Sequence, residues 1–122
     1  MMCCLILRKL YERLSLSRGQ VAAAADLLAR ELLQDFRAGT PLEAVEEAAR
    51  RVGLEAVHLG GYEFLVKGCG ECPGEEMCPV AFYLAAAVRV AAGAAAVPLR
   101  DGERFGVKGE EGCRVRIRVY RE

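Results

Sequence analysis

Apolar positions follow a helical period up to about residue 53 and a period of two through most of the remaining chain. Leu7, Leu10 and Leu14 suit a short helix over Leu5–Leu16. Ser17-x-x-Gln20 has capping-box spacing and opens a helix predicted over Arg18–Ala38, with Val21, Leu28, Leu32 and Phe36 in one stripe, joined by Ala25 and Leu33, and Gly39 to end it. Thr40-Pro41-Leu42-Glu43 repeats the start signature: a Thr cap, Pro at the first helical position and Glu at the third. Leu42, Val45, Ala49 and Val52 form the stripe of this second helix, and Gly53 closes it.

The alternating stretches Leu54–Leu59 and Tyr62–Lys67 read as strands joined by a Gly60-Gly61 hairpin turn. Gly68–Pro79 is a loop rich in Gly and Cys. Pro79 then starts a helix over Val80–Ala92, stopped by Gly93, with Arg89 as its only charge. Apolar on nearly all sides, such a helix belongs in a core. Val97–Arg100, the turn Asp101-Gly102 and Glu103–Lys108 predict a second hairpin, with Pro98 confining its strand to an edge. Cys113–Tyr120 alternates strictly: Val115, Ile117 and Val119 on one face, Arg114, Arg116 and Arg118 on the other. The expected fold is α+β, with N-terminal helices and one buried central helix packed on an antiparallel sheet of about four to five strands. It forms a single domain over 1–122, mainly helical over 1–53 and strand–helix–strand over 54–122.

Composition narrows the function classes. With 53% apolar and 28% charged residues the chain is neither disordered nor low in complexity. Seventeen basic and seventeen acidic residues cancel, against the positive excess an obligate nucleic-acid binder needs. No apolar run reaches the ~18–20 residues of a membrane span, and at the start of the chain the charges Arg8 and Lys9 follow the short apolar stretch instead of preceding it, unlike a signal peptide. A soluble, cytoplasmic protein is expected. Asn is absent, Gln occurs twice, and Arg exceeds Lys fourteen to three, as Glu does Asp. That bias fits a thermophile, or a GC-rich genome.

Six cysteines run against that bias, so protection by metal, disulfide or burial is expected. Cys69-x2-Cys72-x5-Cys78 is the strongest local signal. Two thiolates two residues apart on a Gly-rich turn can reach one ion, and Cys78 stands where the amides and dipole of a helix start stabilise a thiolate. Cys113, after the Gly109–Gly112 turn, supplies a fourth ligand from a distance. Four thiolates close a tetrahedral zinc site, structural in kind. An iron–sulfur cluster takes the same ligands, and a disulfide or unligated thiols are the other readings. Cys3 and Cys4 are adjacent and fit an apolar N-terminal segment better than a shared ion.

Other candidates are weaker. His58 reads as a partly buried structural histidine in a strand. Ser15 and Ser17 lack a nucleophile-elbow context, and no phosphate-binding loop is present, so no enzyme is expected. Glu71, Glu75 and Glu76 crowd the cysteine loop as solvated charges, with Glu75 or Glu76 as a further metal ligand in the sharper reading. The arginines of the last strand read as a solvated face that could also meet phosphate or a partner. Phe64, Phe82, Tyr83 and Phe105 are core residues or the lining of an apolar ligand pocket beside the central helix.

From Tyr62 to Tyr120 the order of features resembles the 4-vinyl-reductase domain, also called the predicted hydrocarbon-binding domain. Cys78 matches that family's helix-opening cysteine, Glu103 its acidic hairpin position, Lys108-Gly109 its turn and Cys113 its final cysteine. The family's further cysteine falls at about Phe105 here, with Cys69 and Cys72 available from the preceding loop. The resemblance is moderately specific and covers about half the chain. The fold is similar to those of vesicle-trafficking-particle subunits and haem–nitric-oxide sensor domains, but no haem-ligating histidine is placed on a helix. It implies a non-catalytic module that binds a hydrophobic small molecule, holds zinc at cysteines and forms a homodimer. A redox protein with an iron–sulfur cluster or reactive dithiol, and an interaction subunit without ligand, are the alternatives.

Overall fold

Thr40 shows how local chemistry fixes an element here. Its Oγ1 accepts the Glu43 N–H at 3.2 Å, and the Glu43 carboxylate accepts the Gly39 N–H at 3.1 Å, so two donors at the helix start are satisfied reciprocally. At the other end of this helix Gly53, at φ 77°, donates to Arg50 O at 3.1 Å and Leu54 donates to Ala49 O at 2.8 Å. That pair of bonds is a Schellman closure, with Leu54 buried beneath it.

A computed structural model of the protein describes residues 18–68, 79–99, 106–109 and 112–120. The elements are α1 (Arg18–Leu32), α2 (Pro41–Arg51), β1 (Glu55–Gly60), β2 (Glu63–Lys67), α3 (Pro79–Ala87) running into a π-helical turn (Val88–Ala92), β3 (Ala95–Leu99), β4 (Gly106–Lys108) and β5 (Cys113–Tyr120). The fold is α+β, helices on one open antiparallel sheet, as expected. The predicted helix over Leu5–Leu16 and the cap residue Ser17 lie outside the described residues.

The sheet order is β1-β2-β5-β3, with β4 also paired to β5. Phe64 lies opposite Val115 and Val66 opposite Cys113. β3 pairs along Arg116–Tyr120 and β4 along Cys113–Val115, both on the side of β5 away from β2. The expected hairpin between residues 97–100 and 103–108 is therefore corrected. Its two strands do not pair with each other; they lie end to end along one edge of β5. The Asp101-Gly102 signal is local, whereas the eight residues of β5 offer rungs to both strands. Pro98 does sit on the edge strand, opposite Ile117.

One helix boundary and the winding of another helix also differ. α1 ends at Leu32, and a turn over residues 33–35 replaces the expected continuation to Ala38. Tertiary contacts win over local propensity there: the Arg51 guanidinium donates to the Leu32 carbonyl at 2.7 Å, and Phe36 N–H closes on Leu33 O at 3.0 Å. The central helix changes to π winding over its last five residues, ending at Gly93 with φ 68°.

The layers follow from burial. Val21, Ala25, Ala29 and Leu33 of the first helical region face α3. Small alanines on both helices let their axes approach closely. Every side chain from Val80 to Val88 is buried, because α1 covers one side of α3, the sheet the other, and α2 lies alongside. Phe64, Val66, Val115 and Ile117 form the inner face of the sheet, each at most 3% exposed. Arg114, Arg116 and Arg118 point to the outer face, where no described residue is buried.

Candidate functional site

The start of β5 is held by close backbone packing. Gly112, at φ 152°, lies against β2 so tightly that a Cβ on it would meet the Val66 carbonyl oxygen at 2.4 Å. Gly109 N–H closes the β4–β5 turn on Gly112 O at 2.7 Å. Gly68, at φ 100°, backs onto the end of α2, where a Cβ would stand 3.2 Å from Gly53 O. Both dihedrals favour glycine, and at Gly112 the close approach requires it as well.

This packing sets Cys113 on the inner face, 7% exposed, opposite Val66. β2 ends at Lys67, two residues before Cys69, and α3 begins at Pro79, one residue after Cys78. Only Gly93 and Ala94 join the central helix to β3, whose first residue pairs with Tyr120. The helix thus comes off the Tyr120 end of β5. It packs on both β3 and β5. Cys69, Cys72, Cys78, Cys3 and Cys4 lie outside the described residues, as do Phe105, Glu71, Glu75, Glu76, Glu103 and Ser15. Among the described residues no three His, Cys, Asp or Glu side chains gather around a common point.

The aromatic candidates fall in the core. Phe64 on β2 and Phe82 and Tyr83 on α3 belong to one hydrophobic cluster, at 0, 7 and 2% exposed. The Tyr83 hydroxyl donates to Ala48 O at 2.8 Å, in the last turns of α2, where Val52 N–H turns to Ala49 O instead. Burial pushes the Tyr83 phenol up to about 12, so the hydroxyl keeps its proton and remains a donor.

His58 is exposed on β1, not partly buried as expected. Strand β1 is at the sheet margin, so the ring escapes burial while keeping two contacts. Its Nε2 donates to Gly61 O at 2.7 Å, and the ring stands 5.7 Å from that of Phe64.

Two arginines tie the layers together. Arg51 donates to Glu47 Oε2 at 2.6 Å, Asp35 Oδ1 at 2.9 Å and Leu32 O, with its guanidinium 5.9 Å from the Phe36 ring centre. Its hydrogen bonds hold the Asp35 and Glu47 carboxyls below their ordinary range, and theirs raise Arg51. A shallow surface cleft lined by Phe36, Glu43, Glu46, Glu47 and Arg50 lies alongside, but Glu43 serves the helix cap and Glu47 serves Arg50 and Arg51. Arg89, from the π turn, donates to Ala96 O at 2.7 Å on β3 and to Asp26 Oδ1 at 2.9 Å on α1. Its isolation in an apolar helix was the one sequence signal for this link. Arg51 carried none, since its partners Leu32 and Asp35 are 19 and 16 residues away.

No described helix is long and apolar enough to cross a membrane. No family model, no curated protein and no solved structure matches the chain.

Proposed function

We propose that the chain is a non-catalytic binding module. In this reading Cys69, Cys72, Cys78 and Cys113 hold one zinc ion, and a hydrophobic small molecule is taken between α3 and the inner face of the sheet. One observation carries the metal: the Val66–Cys113 register puts the exit of β2, two residues short of Cys69, beside the buried thiol that opens β5. Cys78 directly precedes Pro79, the first residue of α3, and in this reading is assigned to the same ion. A buried thiol on a tightly packed strand end suits a soft metal, and zinc would supply a cross-link with no open coordination position. In the sequence near the cysteines general acid–base residues are scarce, glutamates apart.

The ligand rests on the resemblance and on the meeting of Phe64 from the sheet with Phe82 and Tyr83 from the helix in one cluster. Reduced thiolates as ligands go with a cytoplasmic setting, and the resemblance adds a homodimer. The filling of that cluster by side chains favours a second reading, an interaction subunit with the metal as scaffold.

The test is elemental analysis with an absorption spectrum on protein purified without oxygen, followed by titration with an apolar fluorescent probe such as anilinonaphthalene sulfonate. One zinc per chain, no visible colour and saturable probe binding support the module. Zinc without probe binding supports the interaction subunit. Iron with visible absorption moves the reading to a redox protein, and absence of metal overturns the cysteine site.

A further inference from the structure

The outer face of the sheet carries a pattern that the proposed binding module does not use. Arg114, Arg116 and Arg118 form a row along β5. Leu65 lies opposite Arg114 on β2, and Leu99 and Val97 lie opposite Arg116 and Arg118 on β3. Val57 extends the apolar flank beyond Leu65. Among the described residues of this face the charge is unbalanced: Lys67 and the three arginines stand with two carboxylates, Glu55 and Glu63. Glu63 already holds Arg114 at 3.3 Å, and Arg118 lies over the Tyr120 ring at 5.7 Å. The imbalance is that of the described residues taken together and does not require any single arginine to lack a partner. All three described helices pack elsewhere, on the inner side and α1 beyond it.

We propose that this face docks an acidic amphipathic helix of a partner protein. Alternate residues on a strand repeat every ~6.8 Å, and residues four apart on a helix every ~6 Å. Carboxylates at every fourth position of a helix laid along β5 therefore keep step with the three arginines. Aliphatic side chains beside those carboxylates meet Leu65 and Val57 on one flank and Leu99 and Val97 on the other. A helix over a sheet face is also the ordinary way such a layer is completed. Single-stranded nucleic acid fits less well. It needs aromatic platforms, and the described face offers one ring, Tyr120, already stacked under Arg118. Nor does its phosphate backbone use the aliphatic flanks.

The full chain is titrated into a fluorescein-labelled synthetic helix of about 18 residues with Glu at every fourth position flanked by Leu, read by anisotropy. A peptide of the same composition with Glu spread around the helix, and a labelled oligouridine, are the controls. Saturable binding to the striped peptide, weakened by salt, is expected. Arg116→Glu with Arg118→Glu should lower that affinity by roughly ten-fold or more, and Arg116→Lys with Arg118→Lys by much less. Thermal melts confirm that the variants stay folded, and Val97→Ser tests the aliphatic flank separately. The proposal is overturned by no saturable binding, by equal binding of the scrambled peptide, by indifference to charge reversal, or by oligouridine binding as tightly.

Discussion

Gly112 lies so close beneath Val66 that a Cβ on the glycine would approach the Val66 carbonyl oxygen to 2.4 Å. The obstacle is backbone, with no flexible side chain to swing away. Gly112→Ala must therefore push β5 from β2 or rebuild the turn, in addition to straining φ 152°. A loss of roughly 2–4 kcal/mol is expected in chemical denaturation. Gly109→Ala, whose Cβ would stand 3.6 Å from Gly112 O, should cost well under half of that. If both substitutions are mild, the close approach is not a constraint on the fold.

Tyr83→Phe keeps the ring and removes the donor to Ala48 O. Leaving that carbonyl without its buried partner should cost about 1–3 kcal/mol, seen as a melting temperature lower by several degrees. The phenol has a second consequence. Its folded-state value, about 12, lies above the ordinary 10. Below pH 10 both states keep the proton and the full contribution is present. As pH rises through 10 to 12 the unfolded chain releases its proton first, and stability falls. Unfolding measured across this range should show that alkaline component in the parent chain and lack it in Tyr83→Phe.

Arg51→Gln removes the cation that serves Asp35, Glu47 and the end of α1. Arg51 is the largest cause of the lowered values of both carboxyls, and Arg50 adds to it at Glu47. Their contribution is present above the unfolded values near pH 4 and lost as pH falls below them. The acid-unfolding midpoint of the variant should move to higher pH, while stability at neutral pH falls. Circular dichroism across pH 2 to 7 checks this. An unmoved acid limb would mean that the carboxyls do not depend on Arg51.

Asp26 and Arg89 join α1 to the π turn across 63 residues of chain. Arg89 also satisfies Ala96 O, so Arg89→Met should cost more than Asp26→Asn, roughly 1–2 kcal/mol against about half that. A double-mutant cycle isolates the pair. Equal costs for the two single variants would show that the bond to Ala96 O contributes little.

Legibility in the sequence tracked the range of the interaction. Thr40, Glu43 and Gly53 declared α2 because a helix cap is written within four residues. β5 declared itself through Arg114 to Val119, since a sheet with one wet face imposes alternation. The end of α1 did not, because Arg51 enters from another helix to bond the Leu32 carbonyl. The β3–β4 arrangement was misread for a related reason. Asp101-Gly102 describes a turn, but not which strand lies beside its flanks. At the candidate site the sequence marked Cys113 and the packed end of the sheet around it. Whether Phe64, Phe82 and Tyr83 line a pocket or fill a core is invisible to periodicity, since both roles demand the same apolar positions.

Leu99 and Gly106 pair with Arg116 and Val115, neighbouring rungs of β5. Six residues separate two points that the sheet holds one step apart. Each of the two pairings is set by β5 itself and not by the residues that separate them in sequence. Residues inserted between Leu99 and Gly106 are therefore expected to leave the β5 pairings in register, which makes this margin of the sheet the place to tag the protein or grow it into a longer arm without rewriting the ladder.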